Sequence, residues 1–284
     1  MQANRRRPFG RPGVLVTLIL LLCAGRSLDP AAPRAIGNDG ADGRFTRRES
    51  FHFLLFQDVD IDESSGLYGS RQFEQDMLRE LEAAYDRLSR TLELRPARKL
   101  AVTIWDPALF DARFAGLFRF PAAGFYGGSI HVRGGTRVTP ALVRVLHHEL
   151  VHAALDAEAP GVVLPAWLNE GLAEWFEARS VGRPSLSPGE QAWLAAVGQS
   201  GQLPRLADLS APSFAGFDPE AASIAYLESY AFVQHLGSLA GDRGLVALWS
   251  AVLRSGSVER GVRRAFRRDL ETLEQAFRRG FGAD

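Results

Sequence analysis

The stretch "HHELVH", residues 147–152, decides how the rest of this chain is read. Its last five residues, His148-Glu149-Leu150-Val151-His152, have the form H-E-x-x-H. On an α-helix, residues four apart are turned only about 40° from each other, so the two imidazoles can converge on one ion. Glu149 projects about 100° away from His148. It can therefore sit beside a metal rather than bind it, and take a proton from metal-bound water. Two histidines on an ordinary helix are the competing reading, and only a further ligand decides between them. His147 lacks the spacing to share an ion with His152 and reads as a bystander.

The candidate third ligand is Glu170, in "LPAWLNEGLAEW", residues 164–175. Two neutral imidazoles plus one carboxylate leave a coordination position on zinc for water, which is the arrangement of a hydrolytic site. Periodicity alone argues the other way. Glu170, Glu174 and Glu177 form an i, i+4, i+7 stripe, and such a stripe is ordinarily a solvated helix face.

H-E-x-x-H followed by W-L-N-E-G-x-A-E-W resembles the gluzincin metallopeptidases, the group of thermolysin and of the alanyl and leukotriene-hydrolase type aminopeptidases. In particular it is similar to the small peptidase MA-like family of bacterial envelope proteins. The resemblance implies a single Zn2+ held by His148, His152 and Glu170, with Glu149 as general base. It also implies that Glu174 accepts a hydrogen bond from a zinc-ligating histidine and fixes its tautomer. Residues 153–169 separate the two halves of the motif, about one fewer than in the aminopeptidases, and the difference falls in the Pro/Gly loop 156–165. "YLESYAFVQHL", residues 226–236, is similar to an aminopeptidase helix whose tyrosine assists the transition state. That role falls on Tyr226, with Tyr230 the alternative one turn on and the family's glycine replaced by Ser229. The turn Gly124-Phe125-Tyr126-Gly127-Gly128 has the look of the strand edge to which gluzincins add their substrate. It lacks the acid that binds a free N-terminus in the aminopeptidases.

Other H-E-x-x-H classes fit less well. A metzincin needs Gly and His where Leu155 and Glu158 stand, and a deformylase needs a ligating cysteine. The only cysteine is Cys23. It lies in a segment with the three-part layout of a secretory signal. Arg5, Arg6, Arg7 and Arg11 come first, then the apolar run "VLVTLILLLCAG", with small residues at 23 and 25. The expectation is a signal peptide over 1–25, with an uncleaved membrane anchor as the alternative. Either way the protein is exported to the periplasm or envelope of a bacterium, and its folded part has no disulfide.

Over 284 residues the charge is balanced, 33 basic against 33 acidic, so nucleic acid is not an expected partner. A peptide or protein substrate is. A Pro/Gly/Asp-rich stretch reads as a linker over 26–48. Strands are expected at 51–57 and 99–105, and helices at 70–92, 140–155 and 166–178. The pattern is helical from 219 on, broken at Gly241, Gly244, Gly256 and Gly280. The fold class is α+β. An N-terminal part with a small mixed sheet, 49–157, carries the H-E-x-x-H helix, and a helical part, 158–284, carries Glu170 and Tyr226. A thermolysin-like catalytic core is what the resemblance implies for it. His131 reads as a satisfied strand histidine, His52 as structural, and the Arg263, Arg264, Arg267, Arg268 group as a solvated face. The expected function is hydrolysis of peptide bonds by metal-activated water. The alternative is a non-catalytic envelope scaffold or binding protein that retains the fold.

Overall fold

The computed structural model describes residues 45–57, 70–134 and 137–283. The segment read as a signal peptide lies outside them. The first half is a five-stranded mixed sheet, in the order β1-β2-β3-β5-β4. Its strands are β1 (Thr46–Glu49), β2 (Phe53–Gln57), β3 (Leu100–Trp105), β4 (Gly124–Tyr126) and β5 (Ile130–Arg133). The three inner strands run parallel, and β1 and β4 close the two edges antiparallel. Helix α1 (Ser70–Thr91) connects β2 to β3, and the short α2 (Pro107–Arg113) follows β3. Alternation along the strands explains the packing. Phe53, Leu55, Val102, Ile104, Ile130 and Val132 turn to one face and are fully buried. They meet the apolar stripe of α1, Phe73, Met77, Leu81 and Leu88, and the underside of α3 (Pro140–Glu158).

Two outcomes differ from the reading of the sequence. The linker expected over 26–48 ends earlier, because residues 46–49 form β1. "TRRE" has no apolar periodicity, and all four residues are exposed; the strand is held by its ladder to β2 and by Arg48 and Thr46 bonding the buried Glu74 carboxylate. Residues 124–126, expected as part of a glycine-rich turn, form β4. Gly124 is there for close approach: a Cβ on it would stand 2.5 Å from Val145 Cγ1 of α3.

The second half is helical: α4 (Ala166–Ser180), α5 (Pro188–Gln199), α6 (Pro219–Ser255), α7 (Val258–Phe266) and α8 (Leu270–Arg279). Helix α4 lies between α3 and α6 and ties the halves together. The contact with α6 depends on Gly171, where a Cβ would fall 2.5 Å from the Ser229 carbonyl oxygen. Of the four expected glycine breaks, Gly241 kinks α6 at φ 65°, and Gly256 caps it in the left-handed region. Gly280 caps α8, whereas Gly244 continues the helix. The turn between α7 and α8 is made by Arg267, at φ 57°. Arg263 beside it pairs with Asp269 at the surface, as a solvated basic face would.

One buried carboxylate belongs to this helical packing. Glu228 on α6 is fully enclosed, and its oxygens find no hydrogen-bond donor among the described residues. Burial pushes its pKa up to about 8 from 4.5, assisted by Glu274 and Asp208 and opposed by Arg278. The folded state therefore keeps a proton that the unfolded chain releases above about pH 4.5, and stability falls as pH rises from there toward 8. Glu228→Gln removes this penalty. Urea unfolding at pH 4 and pH 8 should show the variant gaining on the parent at the higher pH only, by on the order of 1–3 kcal/mol.

Candidate metal centre

Helix α3 begins as its sequence dictates. Thr139 accepts the Leu142 N–H at 3.2 Å, and Pro140 occupies the first turn, where no amide donor is needed. Three and a half turns of uninterrupted helix then carry His148, Glu149 and His152, all buried. Helix α4 begins after Pro165 with no side-chain cap. Its first-turn amides are satisfied by the backbone instead: Ala166 N–H donates to the Ala211 carbonyl and Trp167 N–H to that of Leu209. The loop 209–211 thus fixes the helix end three residues before Glu170.

The two helices bring the expected ligands together. Glu170 Oε2 lies 3.2 Å from His148 Nε2 and 3.6 Å from His152 Nε2. The two imidazole centroids are 4.9 Å apart. Four ligands at about 2.0–2.1 Å in a tetrahedron stand roughly 3.3 Å from one another. The two Glu170–imidazole separations are close to that spacing, and the three ligand atoms all lie within 4.8 Å of one another. Several atoms here have no partner of their own: His152 Nε2, Glu170 Oε1 and both oxygens of Glu149. Unsatisfied buried polar groups of this kind are costly, and a bound cation satisfies them together. The residues present therefore fit a divalent metal.

Electrostatics agree. Burial raises the Glu149 pKa well above the carboxylate range; Glu170 and Glu177 add to this, while His148 opposes it. Burial likewise lifts Glu170 to about 7. Burial, then the His148 charge, drives His152 well below 6.5. His148 goes the other way: desolvation would lower it, but Glu170, Glu177, Glu174 and Glu149 raise it. The site is a buried cluster with acceptors turned inward. The Tyr126 backbone N–H, on the outer edge of β4, also acts on the Glu149 carboxylate and lowers its pKa, although it falls short of hydrogen-bond geometry.

The groups behind the ligands were only partly legible. His152 Nδ1 lies 3.0 Å from Asn169 Oδ1, so Nδ1–H donates and the Nε2 lone pair faces Glu170. Asn169 was missed, although its place beside Glu170 was the available signal. The expected partner Glu174 does stand behind His148, but not alone. Its Oε1 is 3.6 Å from His148 Nδ1, but Glu177 Oε2 stands at the same distance. Glu177 is the better buried of the two and is held by Arg144 Nε at 2.5 Å. Burial would raise Glu177, yet His148 and Arg144 bring it below the carboxylate range. Glu174, raised by burial and by Glu177 to about 8, holds its proton. Glu177, not singled out in the sequence, is thus a second carboxylate behind His148, and the one that Arg144 also holds. Of the stripe that periodicity alone would make a solvated face, Glu170 and Glu177 are buried and Glu174 is partly so, because α4 packs between α3 and α6.

Tyr226 is placed with Glu174 and Arg144 in the wall of one small cavity, its ring edge-on to Phe214 at 5.3 Å. Tyr230 lines the same cavity and donates its hydroxyl to the Arg183 carbonyl at 3.3 Å. The remaining histidines behave as structural groups. His147 meets Glu80 of α1 at 3.0 Å, and His52 meets Glu82 at 2.6 Å. His131 accepts from Trp105 Nε1 at 3.0 Å, and burial lowers its pKa to about 4.

A family model described as the peptidase MA superfamily matches residues 101–281. The match covers more than half of the chain, from β3 through α8, and contains every residue of the candidate centre. The chain belongs to the peptidase MA superfamily. No curated protein matches it.

The orienting role of Asn169 is measurable. Asn169→Ala should weaken divalent-metal affinity about 10–100-fold in competition with a chromogenic chelator, with the far-ultraviolet circular dichroism unchanged.

Proposed function

We propose that this protein is a zinc-dependent metallopeptidase of the gluzincin type, hydrolysing peptide bonds with Glu149 as general base. One observation carries the reading: His148, His152 and Glu170 face one point at ligand spacing, with the unpartnered Glu149 carboxylate buried beside them. Zn2+ held by these three residues would polarise a water molecule and bring its pKa to about 7.

The chain's own residues supply the remainder. Glu149 would take a proton from the attacking water as its oxygen bonds to the peptide carbonyl carbon, and pass that proton to the amine nitrogen as the C–N bond breaks. Beside a cation held by these ligands the Glu149 carboxyl, whose pKa burial raises, would ionise more readily and so could accept that proton. Asn169 and Glu177 hold the imidazoles with their Nε2 atoms inward. The unpaired edge of β4 supports a substrate in extended form. Gly124 and Tyr126 turn their backbone groups away from β5, toward the Glu149 side, as the Gly127–Ser129 and Arg133–Ala123 bonds require by alternation. Tyr226, sharing a cavity with Glu174, is the candidate to assist the oxyanion, with Tyr230 in the wall of the same cavity as the alternative.

Export to a bacterial envelope is part of the same proposal. Its support is the basic and apolar layout of residues 1–25, cleaved or retained as an anchor. Among the described residues no helix is long and apolar enough to cross a membrane.

Metal analysis and a peptide-library digest test the proposal together. Glu149→Gln should keep one zinc per chain and lose at least about 100-fold in hydrolysis. Wild-type protein that binds zinc yet cleaves nothing the variant spares would point instead to a scaffold that kept the fold.

A further inference from the structure

An aromatic groove lies on the other side of β4 from the metal centre. Along this strand the side chains alternate. Gly124 abuts Val145 of α3, and Tyr126 bonds Asp156 of the same helix at 2.8 Å. Phe125 points to the opposite face, where it stacks on His131 at 4.9 Å. Phe114 and Phe118 pack edge-on or tilted against Phe125, at 4.7 and 5.7 Å. In front of them is a cavity of 520 Å³, lined by Phe110, Phe114, Phe118, Phe120, Ala122 and Ala123. The Asp111–Arg133 ion pair, 3.1 Å, forms part of its polar rim.

Position gives this cavity its meaning. Ala122 and Ala123 lead directly into β4, whose outer edge is unpaired among the described residues and reaches the Glu149 carboxylate at Tyr126. A peptide added to that edge alternates its side chains as β4 does, one set toward α3 and the next toward the Phe125 face. Residues facing each other across paired strands point to the same side. The residue opposite Ala123 thus points to the face of Phe125. It lies three positions, about 10 Å, from the residue opposite Tyr126, where Glu149 stands.

We propose that the aromatic groove between α2 and the chain entering β4 is a substrate subsite, which takes an aromatic or branched aliphatic side chain about three residues from the bond that is cut. The proposal rests on the peptidase reading and adds the chemistry of a preferred substrate. Apolar walls in which the Phe114 and Phe118 rings are partly exposed stabilise such a side chain by burial and edge-to-face contact, and a charged side chain entering the cavity loses its water. The subsite lies beyond the side chains that touch the metal centre, so its loss changes the choice of substrate rather than the chemistry.

The test uses the zinc-loaded full chain and a proteome-derived peptide library, with Phe118→Ala and Phe114→Ala beside the wild type. Thermal unfolding confirms that each variant is folded. The wild type should show enrichment of Phe, Tyr, Leu or Ile at a single position about three residues from the cleaved bond. Both variants should lose that enrichment. On a matched pair of peptides, kcat/KM should fall about tenfold for the aromatic member and stay within about twofold for its alanine counterpart. Cleavage without a preference at that position, or a preference that the variants retain, overturns the subsite alone. A concentration-dependent dimer dissolved by Phe118→Asp shows a second copy in the groove and also overturns it. A chain that cleaves no peptide removes the peptidase reading and this role with it.

Discussion

Four ionisable side chains of this protein, His148, His152, Glu170 and Glu149, are turned inward and removed from water around one point. Nothing in the hydrophobic effect explains this. Burying one unpaired carboxylate costs several kcal/mol, and here two stand next to partially satisfied imidazoles. The arrangement persists because the surrounding structure over-determines it. Helix α3 is anchored at its start by Thr139 and Pro140, and helix α4 is pressed between α3 and α6 through Gly171. Asn169, Glu177 and Arg144 leave the imidazoles little freedom to turn away. A divalent cation would offset this cost: His148, His152 and Glu170 stand where they could ligate it, and Glu149 would face its charge without binding it.

The same constraint accounts for the unusual composition of α4. A helix that reads as polar along one face is in fact buried on nearly every side, with Glu170 and Glu177 fully enclosed. Its carboxylates divide the work by environment. Glu170 faces the ligand point; His148 and Arg144 lower the pKa of Glu177, whereas burial and Glu177 raise that of Glu174, beside the cavity that Tyr226 lines. Identical side chains spaced by helical turns thus occupy three electrostatic positions.

Much of this was legible in the chain. Helix geometry alone lets His148 and His152 converge; Glu170, on another helix, was named through the resemblance of the Asn-Glu-Gly run, and the packing of α4 on α3 brings it to 3.2 Å from His148 Nε2. The long amphipathic α1, the parallel strands β2 and β3 and the kink at Gly241 followed from periodicity and glycine. What escaped depended on tertiary contact. Asn169 and Glu177 look like surface polar residues until α3 is packed against them. The strand β4 looks like a turn until Gly124 is seen to admit Val145. The strand β1, a run of charges, exists only because a neighbouring ladder and the buried Glu74 hold it. The Arg267 turn has no glycine to announce it.

The central claim is that these three side chains ligate one zinc ion, and X-ray absorption at the zinc edge of the purified protein tests it most directly. The account predicts one zinc per chain with two imidazole nitrogens and oxygen ligands at about 2.0–2.2 Å, and loss of the protein-derived oxygen in Glu170→Ala. A spectrum unchanged in that variant, or a purified chain that binds no divalent metal, would contradict it.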